Sequence, residues 1–169
     1  MYLIYHYIPK SKFMKNKKNT SIIPIFIEGI PTEKTLIEER RKLIESYYEK
    51  FWRREHYIYN EFLRANVYIK KNESDKKIKA IAPRKWQSTY AIKHLEQVVK
   101  SAKPLTETIE YDTPKTGTQV KNGYKRMLIL YYKFTNDKYE YLNFTVKLTI
   151  GINSVGKYIQ YSVNKVEKE

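Results

Sequence analysis

Leu142-Asn143-Phe144-Thr145-Val146-Lys147-Leu148-Thr149-Ile150-Gly151-Ile152 is the stretch whose reading decides the fold. Leu142, Phe144, Val146, Leu148 and Ile150 alternate with Asn143, Thr145, Lys147, Thr149 and Gly151. That period of two marks a strand with one apolar and one wet face. Asn153-Ser154-Val155-Gly156 follows as a tight reversal, because Asn, Ser and Gly tolerate the backbone angles such a turn needs. The next run, Lys157 to Val166, then pairs back antiparallel. Setting Ile150 opposite Ile159 places Leu148 by Tyr161 and Val146 by Val163 on one face, and Thr149 by Gln160 and Lys147 by Ser162 on the other.

The run before it, Tyr124 to Phe134, is apolar on both faces, as a central or covered strand is. Placing Leu130 opposite Phe144 and Leu128 opposite Val146 sets Met127 by Lys147 and Lys125 by Thr149. The expected wet face is then Lys125, Met127, Lys147, Thr149, Gln160 and Ser162, with Tyr158 nearby. An ordinary solvated sheet face is the plainer reading of such a surface, and a catalytic cleft the sharper one.

Working outward, Ser88 to Ser101 carries a helical stripe of Ile92, Leu95, Val98 and Val99, with Ser88 or Thr89 as cap and Lys103-Pro104 as stop. A second helix is expected from an N-cap at Thr32 to about His56, with Leu36, Ile37, Leu43, Ile44, Tyr47, Tyr48, Phe51 and Trp52 as its apolar stripe. Its mixed charges read as a solvated face, although Trp52-Arg53-Arg54 has the composition of a base-stacking, phosphate-holding cluster. Met1–Ile8, Ser21–Glu28, Val67–Lys71, Lys77–Ala82 and Leu105–Ile109 are further strand candidates, and Asp112 to Gly123 reads as a polar loop. The fold class is therefore α+β: a C-terminal antiparallel meander packed on a short helix, with a helical N-terminal extension. Residues 63–169 form the domain and residues 1–62 the extension.

The 169-residue chain carries 33 Lys and Arg against 18 Asp and Glu, a net charge of +15. Such an excess favours polyanionic partners: RNA or DNA first, an acidic protein second. An AT-rich coding sequence would also enrich lysine, so charge alone does not decide. The absence of cysteine excludes disulfides, thiolate nucleophiles and cysteine-based zinc sites. Tyr2 to Ile8 is too short for a signal peptide, and no run is long enough to span a bilayer, so a cytoplasmic protein with no membrane partner is expected.

Neither a phosphate-binding glycine loop nor a dinucleotide fingerprint is present. His6, His56 and His94 are far apart, and carboxylates concentrate on the first long helix, so no metal-holding set can be assembled. Any phosphodiester chemistry is expected to need no metal and no cofactor. Metal-free RNA cleavage needs a base for the 2′-hydroxyl, an acid for the leaving oxygen and a cation for the phosphorane. His94 has the ordinary pKa for proton transfer, and Lys125, Lys147 and Ser162 lie on or near the wet face. These four are the catalytic candidates. Arg126, Thr149, Tyr158, Gln160 and Lys121 are the nucleic-acid-binding candidates. Each is also a residue type common on a solvated strand or helix surface.

The helix Ala91 to Ala102, ending in Lys100-Ser101-Ala102, then a strand ending in Tyr131-Tyr132-Lys133-Phe134, then Phe144 to Gly151 and Lys157 to Val163, form a pattern over residues 66–166. It resembles phage and mobile-element domains grouped with the barnase, EndoU, colicin and RelE nucleases, found in polyvalent proteins and toxins. The resemblance implies a metal-independent endoribonuclease acting as a toxin or phage-borne effector. Members of that group often end in a Tyr-Tyr-Asp-His-like strand, whereas Tyr158-Ile159-Gln160-Tyr161-Ser162 has neither the acid nor the histidine. The alternative is a non-enzymatic nucleic-acid-binding or protein-interaction module of the same fold.

Overall fold

The structure, a computed structural model, describes residues 26–32, 36–53, 56–71, 81–115 and 117–167. The strand candidate Met1–Ile8, most of Ser21–Glu28 and most of Lys77–Ala82 lie outside these residues, as do Glu33 to Thr35 and Arg54. A small hairpin, β1 (Phe26–Ile27) and β2 (Ile30–Pro31), precedes helix α1 (Ile37–Trp52). Strands β3 (His56–Asn60) and β4 (Ala65–Ile69) follow, then helices α2 (Trp86–Lys93) and α3 (Leu95–Ser101). Strand β5 (Glu110–Asp112), a short helix α4 (Gly117–Lys121), and the long strands β6 (Tyr124–Phe134), β7 (Phe144–Asn153) and β8 (Tyr158–Lys165) complete the fold. This is an α+β protein with a six-stranded sheet in the order β3-β4-β8-β7-β6-β5. Only β4 and β8 pair in parallel; the other neighbours are antiparallel.

The helices cover one face of this sheet. Ile44, Tyr48 and Phe51 of α1, Tyr90 and Ile92 of α2, and Leu95, Val98 and Val99 of α3 share a core with Ile58, Val67, Leu128, Leu130, Val146, Leu148, Ile150 and Val163. Burying that apolar surface is the main stabilising term. Two polar links run through the core. The Tyr48 hydroxyl donates to Oε1 of Gln160 at 3.2 Å. Nδ2 of fully buried Asn60 donates to the carbonyls of Val99 (2.7 Å) and Ala102 (2.9 Å), while its Oδ1 accepts from the Leu63 amide (2.7 Å). Asn60 thus satisfies carbonyls that the end of α3 leaves over.

The structure corrects several sequence-based expectations. The expected extension contributes α1 and the edge strand β3 to the same core and sheet as the rest. The first helix begins at Ile37 behind Leu36, with no side-chain cap, and ends before His56, which opens β3. The helix expected from Ser88 begins at Trp86 and breaks at His94 into α2 and α3, with Ser88 and Thr89 buried rather than capping. Ser88 Oγ instead accepts the Lys165 amide at 3.0 Å. Residues 105–109 form no strand; β5 starts at Glu110.

The meander and its turn are as expected. Gly156 has φ 80° and its amide donates to the Asn153 carbonyl, while Asn153 Oδ1 accepts the Val155 and Lys157 amides. The registers differ. β6 and β7 pair with Leu130 opposite Leu148, Leu128 opposite Ile150 and Met127 opposite Gly151. β7 and β8 pair with Ile150 opposite Gln160, Thr149 opposite Ser162 and Leu148 opposite Val163. Between those pairs Tyr161 is an extra residue, so β8 carries a bulge. The bulge lets Val163 enter the main core while Ile159 and Tyr161 turn to the opposite face. There they form a second cluster with Tyr124 and Met127, against which Tyr68 packs.

Candidate nucleic-acid interface on the open sheet face

Among the described residues no helix joins the second cluster, which lies on the sheet face turned away from the described helices, here the open face; Tyr124, Met127, Ile129, Ile159 and Tyr161 are buried there, while Tyr57 and Tyr59 are exposed. The pairing registers define a single row across all six strands of that face: Tyr57, Tyr68, Ile159, Gly151, Met127 and Asp112. Gly151 is small for a reason. A β-carbon there would lie 2.6 Å from Cδ1 of Tyr124, so the Tyr124 ring lies flat on the backbone of β7. Tyr124 in turn meets Tyr161 edge to face at 6.0 Å.

Three candidate residues stand on the face where alternation put them. Lys147 and Thr149 are half-buried side chains of β7 on the open face, and Ser162 pairs with Thr149. Lys147 pairs with Asn164, which makes Lys147 and Ser162 diagonal neighbours rather than a direct pair. Lys125 is exposed and falls in a bulge between Tyr124 and Arg126. Lys121 is exposed on α4, in the connection that enters β6.

Three candidates lie on the helix side by register. Gln160 is buried and accepts from Tyr48, and Tyr158 packs against the main core opposite Ile152. The β8 bulge is the cause, because it shifts these two relative to Ser162. Arg126 pairs with Ile152, and its guanidinium lies 3.8 Å from the centre of the Tyr111 ring.

His94 is also on the helix side, at the break between α2 and α3, against the rings of Tyr90 (4.7 Å) and Phe134 (6.2 Å). The sheet therefore separates His94 from Lys147 and Ser162, and the four catalytic candidates do not form one site. What meets His94 instead is Glu28, 3.5 Å from Nε2, delivered by the β1–β2 hairpin, whose loop residues Glu28 and Gly29 have φ of 48° and 80°. Positive φ at both positions is the pattern of the mirror-image turns that close tight hairpins. Lys93 Nζ donates to the Glu28 carbonyl at 2.9 Å and lies 3.6 Å from its carboxylate. Burial pushes the His94 imidazole below its usual value, with Glu28 opposing and Lys93 adding to the shift. Burial and the Glu28 carboxylate push the neighbouring Tyr90 phenol up to about 12.

The open face has an acidic and a basic side. Glu110 and Asp112 line it at β5, where Glu110 accepts from the Tyr131 hydroxyl at 2.8 Å. Burial and that carboxylate raise the Tyr131 phenol to about 12. A hydrogen bond from Lys115 holds Asp112 below the usual carboxylate range. At the opposite side, Lys157 Nζ sits 4.3 Å and Lys70 Nζ 5.9 Å from the centre of the Tyr68 ring, and Tyr57 packs on Tyr68 at 5.7 Å. Tyr57 and Tyr59 are 54% and 52% exposed, well beyond what a packed tyrosine shows. These tyrosines were not among the sequence candidates. Their signal is the alternation Tyr57-Ile58-Tyr59-Asn60, which a reading of helix running to His56 conceals.

The Trp52-Arg53-Arg54 cluster is otherwise engaged where it is described: Trp52 stacks on Tyr48 at 5.1 Å, and Arg53 pairs with Glu49 at 2.8 Å. Clefts of about 570 Å³ beside Trp86, Tyr141 and Phe144, and about 460 Å³ beside Arg40, Arg84 and Lys85, contain none of the sequence candidates. Among the described residues no group of three or more His, Asp or Glu could hold a metal ion, and no helix is long and apolar enough to cross a membrane. Comparison of the chain with family models, curated proteins and solved structures finds no match in any of the three.

Proposed function

We propose that this protein binds nucleic acid through the open face of its sheet. The observation that carries the reading is the placement of Lys147, Thr149 and Ser162 together on the sheet face that no described helix covers, in a chain of net charge +15. Polyanion binding by such a surface is driven by release of condensed counterions, so it weakens steeply with salt. Filter binding or fluorescence anisotropy with labelled RNA and DNA at low and moderate salt tests it. Affinity should fall linearly on a log–log plot, and no retention of either polymer at low salt would overturn the reading.

Endoribonuclease activity is the second reading, and a different observation favours it. Glu28, Lys93, His94 and Tyr90 meet on the helix side, and together supply a proton-transfer pair and a cation. The test is incubation with RNA in EDTA and analysis for 2′,3′-cyclic phosphate ends. Intact RNA after hours, with or without divalent metal, leaves the binding reading alone. Cleavage abolished by His94→Ala and unaffected by Lys147→Ala would place the chemistry on the helix side.

A further inference from the structure

We infer that the ligand of the open face is a single-stranded nucleic acid whose bases stack on Tyr57, Tyr59 and Tyr68 at the β3–β4 side of the sheet. The inference rests on the nucleic-acid-binding reading and adds to it the strandedness of the ligand and the place where it is read.

Three observations converge. The first is aromatic exposure. Tyr57 and Tyr59 are more than half exposed although they lie in a sheet, and Tyr68 packs beside Tyr57. Tyrosine rings offered to solvent on a strand are stacking platforms, since every base has a π-face. The second is spacing. Tyr57 and Tyr59 lie two residues apart on one strand, so their side chains are roughly 6.7 Å apart along it. That is about twice the 3.4 Å between successive units along one strand of B-form DNA. Neighbouring bases of a duplex cannot both reach such rings, because they are stacked on one another and paired; a splayed single strand can place one base on each.

The third observation is charge. The acidic groups of the face, Glu110 and Asp112, line its β5 side, while Lys70 and Lys157 flank the Tyr68 ring at the opposite side. A phosphate backbone following the face is repelled from β5 and drawn to β4 and β8. Tyr57 and Tyr59 already present their rings to solvent, so little ordering cost opposes stacking on them.

The test uses the full chain and anisotropy of labelled oligonucleotides of equal length: single-stranded RNA, single-stranded DNA and blunt duplex DNA. The wild-type protein should bind a single strand at least about tenfold more tightly than the duplex, the two single-stranded arms showing whether the sugar matters. Tyr57→Ala with Tyr59→Ala should weaken single-strand binding by about tenfold or more and leave duplex binding unchanged. Tyr57→Phe with Tyr59→Phe should keep single-strand affinity, because stacking needs the ring and not the hydroxyl. Lys70→Gln with Lys157→Gln should weaken both. Equal affinity for single strand and duplex, or alanine variants that bind a single strand like wild type, overturns this inference while the broader reading stands. Absence of binding to all three oligonucleotides overturns both, and binding of polyglutamate alone would show an acidic protein partner in their place.

Discussion

The Tyr124 ring lies on the backbone of Gly151, close enough that a β-carbon on the glycine would overlap Cδ1 at 2.6 Å. Gly151→Ala should therefore cost about 1–3 kcal/mol, the usual range for overpacking. In a Tyr124→Ala background the same change should cost far less, because nothing then occupies the space. Urea denaturation of the two single variants and the double variant measures the coupling. Additive costs would show that the ring is not seated on the glycine.

Asn60 ties the β3–β4 turn to the end of α3 with three hydrogen bonds while fully buried. Replacing it with alanine strands two carbonyls and an amide in the core, and each such orphan costs about 1–3 kcal/mol. Asn60→Ala should lower stability by at least about 2 kcal/mol. Asn60→Asp should not rescue it, since a carboxylate cannot donate to the Val99 and Ala102 carbonyls. Thermal and urea unfolding read the effect.

His94 has a folded-state pKa below its ordinary 6.5 because burial disfavours its charged form. The unfolded chain then takes up a proton at higher pH than the folded one. Stability from this group is present above about pH 6.5 and is lost as pH falls below it. His94→Gln should flatten the stability profile in that window and leave the carboxylate-linked losses near pH 4 in place. An unchanged profile between pH 7 and pH 5 would mean that His94 titrates alike in both states.

Lys147→Gln should weaken nucleic-acid binding across sequences and reduce the salt slope by about one, the signature of a lost phosphate contact. Folding should be little affected, because Lys147 is half-buried outside the core and substitutions away from the core mostly change stability by less than about 0.5 kcal/mol. Salt titrations of both proteins on the same oligonucleotide give the comparison. An unaltered slope would move the phosphate path away from β7.

Local pattern carried the central fold into view. Phe144 to Ile152 reads as a strand and is one, because alternation reports burial directly, whereas Leu142 closes a 3-10 turn ahead of it. Ile92, Leu95, Val98 and Val99 are all buried, as a helical stripe should be. The β8 bulge was not legible, since Ile159, Tyr161 and Val163 fit strict alternation equally well and nothing local marks an added residue. That one residue moved Gln160 and Tyr158 off the candidate surface, yet left Lys147, Thr149 and Ser162 on it. The break at His94 involves neither Gly nor Pro, and Glu28 reaches it from a distant hairpin. Contacts of that kind are made by tertiary packing, which periodicity does not encode.

The parallel pairing of β4 with β8 sets an order of assembly. On the side away from β3, Val67 and Tyr68 pair with Tyr158 and Ile159, which come after β6 and β7 in the chain. Loop closure over that distance is slow compared with a local hairpin. During synthesis, then, the β3–β4 hairpin waits with one edge open until the ribosome has released the residues of β8. A nascent chain stopped at Asn153 would expose Tyr57, Tyr59 and Tyr68 without the strand that anchors them. The β4 edge of the tyrosine-bearing hairpin is therefore closed late, by the arrival of the final strand of the sheet.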